Sequence, residues 1–157
     1  GILDLEMTLY ERIQQDLAAS MKARDAERTS VLRMAKAAIM NREIEKRSAL
    51  DDGEVLAALR SLVKQREDSV EQYRSAGRSE LADKETAEIG VLRAYLPAEA
   101  SDAEVEAAVA KAVSESGASG PKEIGRVMKA ALALLAADGK PADGKKVNAA
   151  ARRRLGA

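Results

Sequence analysis

The side chains of this sequence best placed to do chemistry are cations spaced for phosphate. Lys122, Arg126 and Lys129 follow at steps of four and three, which sets them on one helix face. Lys145 and Arg152 are seven apart, as are Lys146 and Arg153, giving two adjacent rows on a single helix. Lys140 lies just ahead of them, and Gly125 and Gly144 leave the backbone open to close approach. The candidate phosphate contacts are therefore Lys122, Gly125, Arg126, Lys129, Lys140, Gly144, Lys145, Lys146, Arg152 and Arg153. If the two helices lie side by side, these rows join into one patch for a nucleic-acid backbone. The competing reading is that cations near a helix C-terminus serve the dipole and solubility, which suits Arg152, Arg153 and Arg154.

The run Gly139-Lys140-Pro141-Ala142-Asp143-Gly144-Lys145-Lys146 has the composition of a phosphate loop. It is not a Walker A motif, because the glycine spacing is wrong and Lys145 is followed by Lys rather than Ser or Thr. A capping turn accounts for the same residues, with Asp143 as the cap and Gly144 easing the entry.

Other chemistries are excluded by absence. The 157 residues contain no Cys, His, Trp or Phe. There is no disulfide, no cysteine nucleophile, no zinc finger and no Ser-His-Asp triad. No catalytic residue, metal or cofactor is assigned. Lys64 with Asp68 and Glu67 with Glu71 sit at i, i+4; the two glutamates suggest a paired-carboxylate site, but acids flanked by cations on an exposed helix read as members of ion pairs on a solvated face. Tyr73 and Tyr95 read as core residues whose hydroxyls reach the surface. Aromatic residues make up 2% of the chain, which disfavours base stacking and favours backbone readout of a folded, A-form RNA.

The charges themselves are segregated. Lys and Arg total 26 against 26 Asp and Glu, but residues 117–157 hold nine bases and three acids, while residues 98–116 hold one base and five acids. The local basic excess biases the C-terminal part toward polyanions.

The elements that must carry these residues are helices. The 32 alanines favour helix and close helix approach, and the apolar positions recur at helical spacing. A first helix is expected over Leu9–Ala23, with Leu9, Ile13, Leu17 and Met21 inward, and a break at Arg24 and Asp25. A second spans about Thr29–Arg47 and buries Val31, Met34, Ala35, Ala38, Ile39 and Ile44. Asp51 with Glu54 opens a third through a capping box; it runs to about Ala76 on Val55, Leu59, Leu62, Val63, Val70 and Tyr73, with Gly77 beyond its end. A fourth starts near Ser79, uses Leu81, Ile89, Leu92 and Tyr95, and must stop before Pro97. Ser101 and Glu104 make a second capping box ahead of Val105, Val109 and Val113. Pro121 suits the first position of a sixth helix that buries Ile124, Val127, Met128, Ala131, Leu134 and Leu135. A last helix begins near Asp143 on Val147, Ala151 and Leu155. The expected fold is all-α in two subdomains, four helices over residues 1–97 and a small three-helix bundle over residues 98–157. No apolar run approaches a membrane span, no secretory leader is expected, and a cytoplasmic protein is the default. Gly1–Glu6 carry none of this argument.

Three blocks resemble a known family. The first is Ser30-Val31-Leu32-Arg33-Met34-Ala35-Lys36-Ala37-Ala38-Ile39 with Asn41, Glu43 and Ile44. The second is Leu62-Val63-Lys64-Gln65-Arg66-Glu67-Asp68-Ser69 with Tyr73, Gly77-Arg78, Leu81, Lys84-Glu85, Ile89 and Tyr95-Leu96-Pro97. The third is Gly125-Arg126-Val127-Met128 with Ala142-Asp143-Gly144-Lys145 and Val147-Asn148. In this order and spacing they resemble the YqeY-like family, which is related to the tail region of the GatB subunit of aspartyl/glutamyl-tRNA amidotransferase. Lys129 stands where the family is expected to have Gly, and Pro141 interrupts the run from Gly-Lys into Ala-Asp-Gly. The resemblance implies a two-part helical fold and a link to tRNA. It also carries the family's association with carbon–nitrogen ligase activity using glutamine as amido donor. That chemistry needs a nucleophile to release ammonia and an ATP site, and neither is visible in this helical chain. The expectation is therefore an accessory protein that binds tRNA. The alternative is an interaction or dimerisation module, its long third helix docking on an amidotransferase or an aminoacyl-tRNA synthetase.

Overall fold

A computed structural model describes residues 7–156; Gly1–Glu6 lie outside them. Its regular structure is seven α-helices and one 3₁₀ turn, with no strand among the described residues. The chain divides into two compact units between Leu96 and Pro97.

The first unit contains α1 (Leu9–Lys22), α2 (Ala26–Lys46), α3 (Asp52–Ser75) and α4 (Ser79–Arg93). Thr8 caps α1 by accepting the Glu11 N–H, and Asp51 with Glu54 forms the capping box of α3. The second helix starts three residues ahead of the expected Thr29. Asp25 accepts the Arg28 N–H at 3.1 Å, and Arg24 turns the corner in the left-handed region at φ 56°. Gly77 sits beyond α3 at φ 72°, and the Arg78 N–H reaches back to the Tyr73 carbonyl at 2.7 Å, a Schellman closure.

The core of this unit is Ile13, Leu17, Val31, Leu32, Ala35, Ile39, Val55, Leu59, Val63, Ile89, Leu92 and Tyr95. Of the expected core residues, Met34, Ala38 and Tyr73 are only half-buried and outside this cluster, and three more are exposed. Met21 is exposed because α1 turns Ser20 inward instead, where its hydroxyl donates to the Leu17 carbonyl and meets the Thr29 hydroxyl at 2.9 Å. Ile44 lies in the last turns of α2, past the buried Ile39, and is 72% exposed. On α4 the alanine Ala82 is buried while the neighbouring Leu81 is exposed.

The second unit contains α5 (Asp102–Ser116), α6 (Ile124–Ala137) and α7 (Gly144–Leu155). Ser101 and Glu104 form the second capping box, and Gly117 ends α5 at φ 69°. Pro121 opens a 3₁₀ turn over Pro121–Glu123 rather than the first turn of α6, which starts at Ile124. Val105, Val109, Val127, Leu135, Val147 and Leu155 are buried among Ala108, Ala112, Ala131, Ala150 and Ala151. Those small side chains let three short helices close on one another with little bulk between them. Val113, Ile124, Met128 and Leu134 border this core, half-buried. The Ala100 N–H donates to the Pro141 carbonyl at 2.8 Å, tying the lead into α5 to the α6–α7 connection.

Candidate nucleic-acid interface

Helix α7 has two solvent edges, and the expected rows of cations fall on different ones. Val147, Ala150, Ala151 and Leu155 form its buried face. On one side of that face Asn148 meets α6, its Nδ2 lying 3.2 Å from the Met128 Sδ. Arg152, one turn on, donates from Nε to the Asn148 Oδ1 at 2.8 Å. Lys145 lies on this edge by helical phase, whereas Lys129, though next to Met128 in sequence, is turned about 100° from it toward the outer face of α6. Lys129, Lys145 and Arg152 have no ion-pair partner among the described residues, and neither have Lys122 and Arg154.

On the other side α7 meets α5. Lys146 pairs with Asp102 at 3.6 Å, and Arg153 pairs with Glu106. Lys140, in the connection before α7, pairs with Glu104 of the capping box. Arg126 is engaged as well: its guanidinium pairs with Glu123 at 2.5 Å and reaches the Ser116 carbonyl at 3.4 Å. The structure thus brings Lys145 and Arg152 to one edge without a carboxylate partner among the described residues, and holds Arg126, Lys140, Lys146 and Arg153 in ion pairs.

Asp143 caps α7 by accepting the Lys145 N–H at 2.9 Å. Gly125 and Gly144 have no positive φ, and a Cβ at either would meet nothing within 4 Å. Neither backbone conformation nor internal packing calls for glycine at these positions.

The remaining polar chemistry lies in the first unit. Arg66 on α3 donates from Nη1 to Glu85 at 3.0 Å and pairs with Glu88, both on α4, while its Nη2 lies 3.2 Å from the Met34 Sδ on α2. Glu88 is buried. The i, i+3 spacing of Glu85 and Glu88 was the signal available for it in the sequence. Glu67 pairs with Arg93 rather than with a residue of its own helix. Tyr95 is buried, and its hydroxyl donates to Asp16 Oδ2 at 2.5 Å while the Arg12 guanidinium lies 5.2 Å from the ring centre. Burial and that carboxylate push the phenol pKa well above its usual value. Between α2 and α3 an open groove of about 820 Å³ is lined by Asn41, Arg42, Glu54, Ser61 and Gln65 among others.

The Yqey-like protein family model matches residues 10–155. The chain belongs to the YqeY-like family. It is also similar to proteins named "Altered inheritance of mitochondria protein 41, mitochondrial". The one from Lachancea thermotolerans is 33% identical over 113 residues, 69% of this chain and 60% of that protein. The one from Eremothecium gossypii is 35% identical over 87 residues, 55% of this chain and 48% of that protein. An uncharacterized protein of Schizosaccharomyces pombe is 34% identical over 90 residues, 57% of this chain and 73% of that protein. Of the Lachancea relative, then, the chain spans three-fifths of the length. Among the described residues of this YqeY-like chain, no helix is long and apolar enough to cross a membrane.

Proposed function

We propose that this protein is an accessory tRNA-binding protein whose second unit holds RNA phosphates on the α6–α7 edge. The observation that carries the reading is the placement of Lys145 and Arg152 beside the Met128–Asn148 contact with no carboxylate among the described residues paired to them. Lys122 extends the set at the 3₁₀ turn. The geometry favours contacts to phosphate and sugar, with no aromatic platform for unstacked bases. The reading asks only for a compartment that holds tRNA. The cytoplasm expected from the sequence satisfies that, and so does the mitochondrion in the relatives' name.

The test is fluorescence anisotropy of labelled total tRNA at about 50 and 200 mM salt, where phosphate contacts lose most of their strength. Binding that weakens steeply with salt, and that Lys145→Glu with Arg152→Glu abolishes, supports the reading. Unchanged affinity in that variant overturns it.

A second reading rests on α2. Met40 and Ile44 are exposed one turn apart, flanked by Arg33 and Lys36. Such a face suits a protein partner, an amidotransferase or synthetase included, and on this reading the partner would dock on α2 rather than on the expected α3. Co-elution of such an enzyme, lost with Met40→Ser and Ile44→Ser, is the result it requires.

A further inference from the structure

The acidic and basic blocks of the second unit are separate in sequence and meet in the fold. Asp102 and Glu106, one turn apart on one side of α5, pair with Lys146 and Arg153 of α7, and Glu104, on its other side, pairs with Lys140. Glu104 is held in place for this, because its other oxygen accepts the Ser101 N–H at 3.0 Å. The three cations remain about half exposed, with side-chain accessibilities of 48%, 53% and 64% for Lys140, Lys146 and Arg153. Exposed pairs of this kind contribute about 0.2–1 kcal/mol each, too little to be what holds the unit together. The buried valines and alanines do that. An exposed carboxylate and a phosphate oxygen nevertheless compete for the same guanidinium or ammonium, and α5 is always present at high effective concentration.

We propose that Asp102, Glu104 and Glu106 are specificity-determining residues: internal phosphate mimics that keep Lys140, Lys146 and Arg153 out of the contact set, so that only the α6–α7 edge reads phosphate. The proposal rests on the polyanion reading above. A flexible polyanion that would otherwise wrap around α7 meets carboxylates on the α5 side. A ligand must therefore fit the one unmasked edge.

The experiment compares salt dependences in the full chain. Labelled poly(U) and total tRNA are titrated between about 50 and 200 mM salt, where the slope of log K against log salt counts phosphate contacts. Asp102→Asn with Glu106→Gln should bind poly(U) several-fold tighter, with the slope steeper by about 1.4, two contacts at about 0.7 each for a single strand. Glu99→Gln with Asp138→Asn removes the same charge from residues without an ion-pair partner among those described, and should leave the slope at its wild-type value. Equal gains in both variants with unchanged slopes would mean net charge alone is at work, and would overturn the proposal. Lys146→Gln with Arg153→Gln tests it without touching α5. The masked cations should be dispensable, so tRNA affinity and slope should stay at the wild-type values, and a slope shallower by about two would overturn masking. If neither wild type nor any variant binds tRNA at the lowest salt, it is the polyanion reading that fails, and this proposal with it.

Discussion

Arg66 of α3 is fixed between Glu85 and Glu88 of α4, and Glu88 lies buried with Arg66 as its ion-pair partner. A buried charge is tolerable while paired and costly when stranded. Arg66→Met should therefore destabilise the first unit by about 3–5 kcal/mol, and adding Glu88→Leu should recover much of that loss. Tyr10, Tyr73 and Tyr95 are the only tyrosines and the chain has no Trp, so intrinsic fluorescence during urea unfolding follows the first unit alone. A single variant within about 1 kcal/mol of wild type would show that Glu88 is solvated when Arg66 is gone.

The Tyr95 phenol is bonded to Asp16 and partly desolvated, so its pKa is raised in the folded state. The folded form therefore favours the protonated phenol. This contribution is complete below the unfolded pKa of about 10 and is lost as pH rises above it, at up to about 1.4 kcal/mol per pH unit. Tyr95→Phe should cost about 1.5 kcal/mol at neutral pH and flatten that alkaline loss. Absorbance titration at the tyrosinate band is the check: Tyr10 and Tyr95 should both ionise above a free phenol, Tyr95 last, and that last phase should vanish in the variant.

Most of the scaffold was legible because capping and periodicity are local. Asp51 with Glu54 and Ser101 with Glu104 both cap as their spacing requires, and Gly77 takes the left-handed turn expected of it. The inward faces were less legible at helix ends. Ile44 follows Ile39 by five residues, about 140° around α2, so the helical repeat itself turns it away from the core and only its apolar type pointed inward. The interface was half legible for a related reason. Spacing put Lys145 with Arg152 and Lys146 with Arg153, yet only the tertiary packing decides that Asp102 and Glu106 lie beside the second row. Asn148, which links Met128 to Arg152, carries no charge, so the sequence marked it only as part of the third family block and not as a partner of Arg152.

The two isoleucines of α2 give a direct test of that facing. Ile39→Ala empties a fully buried position and should cost about 2–5 kcal/mol. Ile44→Ala removes the same atoms from an exposed position and should stay within about 0.5 kcal/mol of wild type. Tyrosine fluorescence in urea reads both, and a large loss at Ile44 would mean that the last turns of α2 are covered in solution.

Asn148 should act on RNA binding through Arg152 rather than by touching RNA itself. Its side chain spans the α6–α7 seam, contacting Met128 on one helix and accepting from Arg152 Nε on its own. Asn148→Ala leaves every cation in place but frees the Arg152 guanidinium to sample other rotamers, which a phosphate contact must then pay to restore. The expected result is tRNA affinity reduced by about three- to ten-fold, with the salt slope unchanged because the number of contacts is the same. Arg152→Gln should instead lower both affinity and slope, the slope by about 0.9 if the contact is to duplex. Asn148→Asp supplies the discriminating control: its carboxylate still accepts from Arg152 but neutralises it, so affinity and slope should fall together as in Arg152→Gln. If Asn148→Ala instead lowers the slope by a full contact, Asn148 holds Arg152 in the contact set outright rather than merely orienting it.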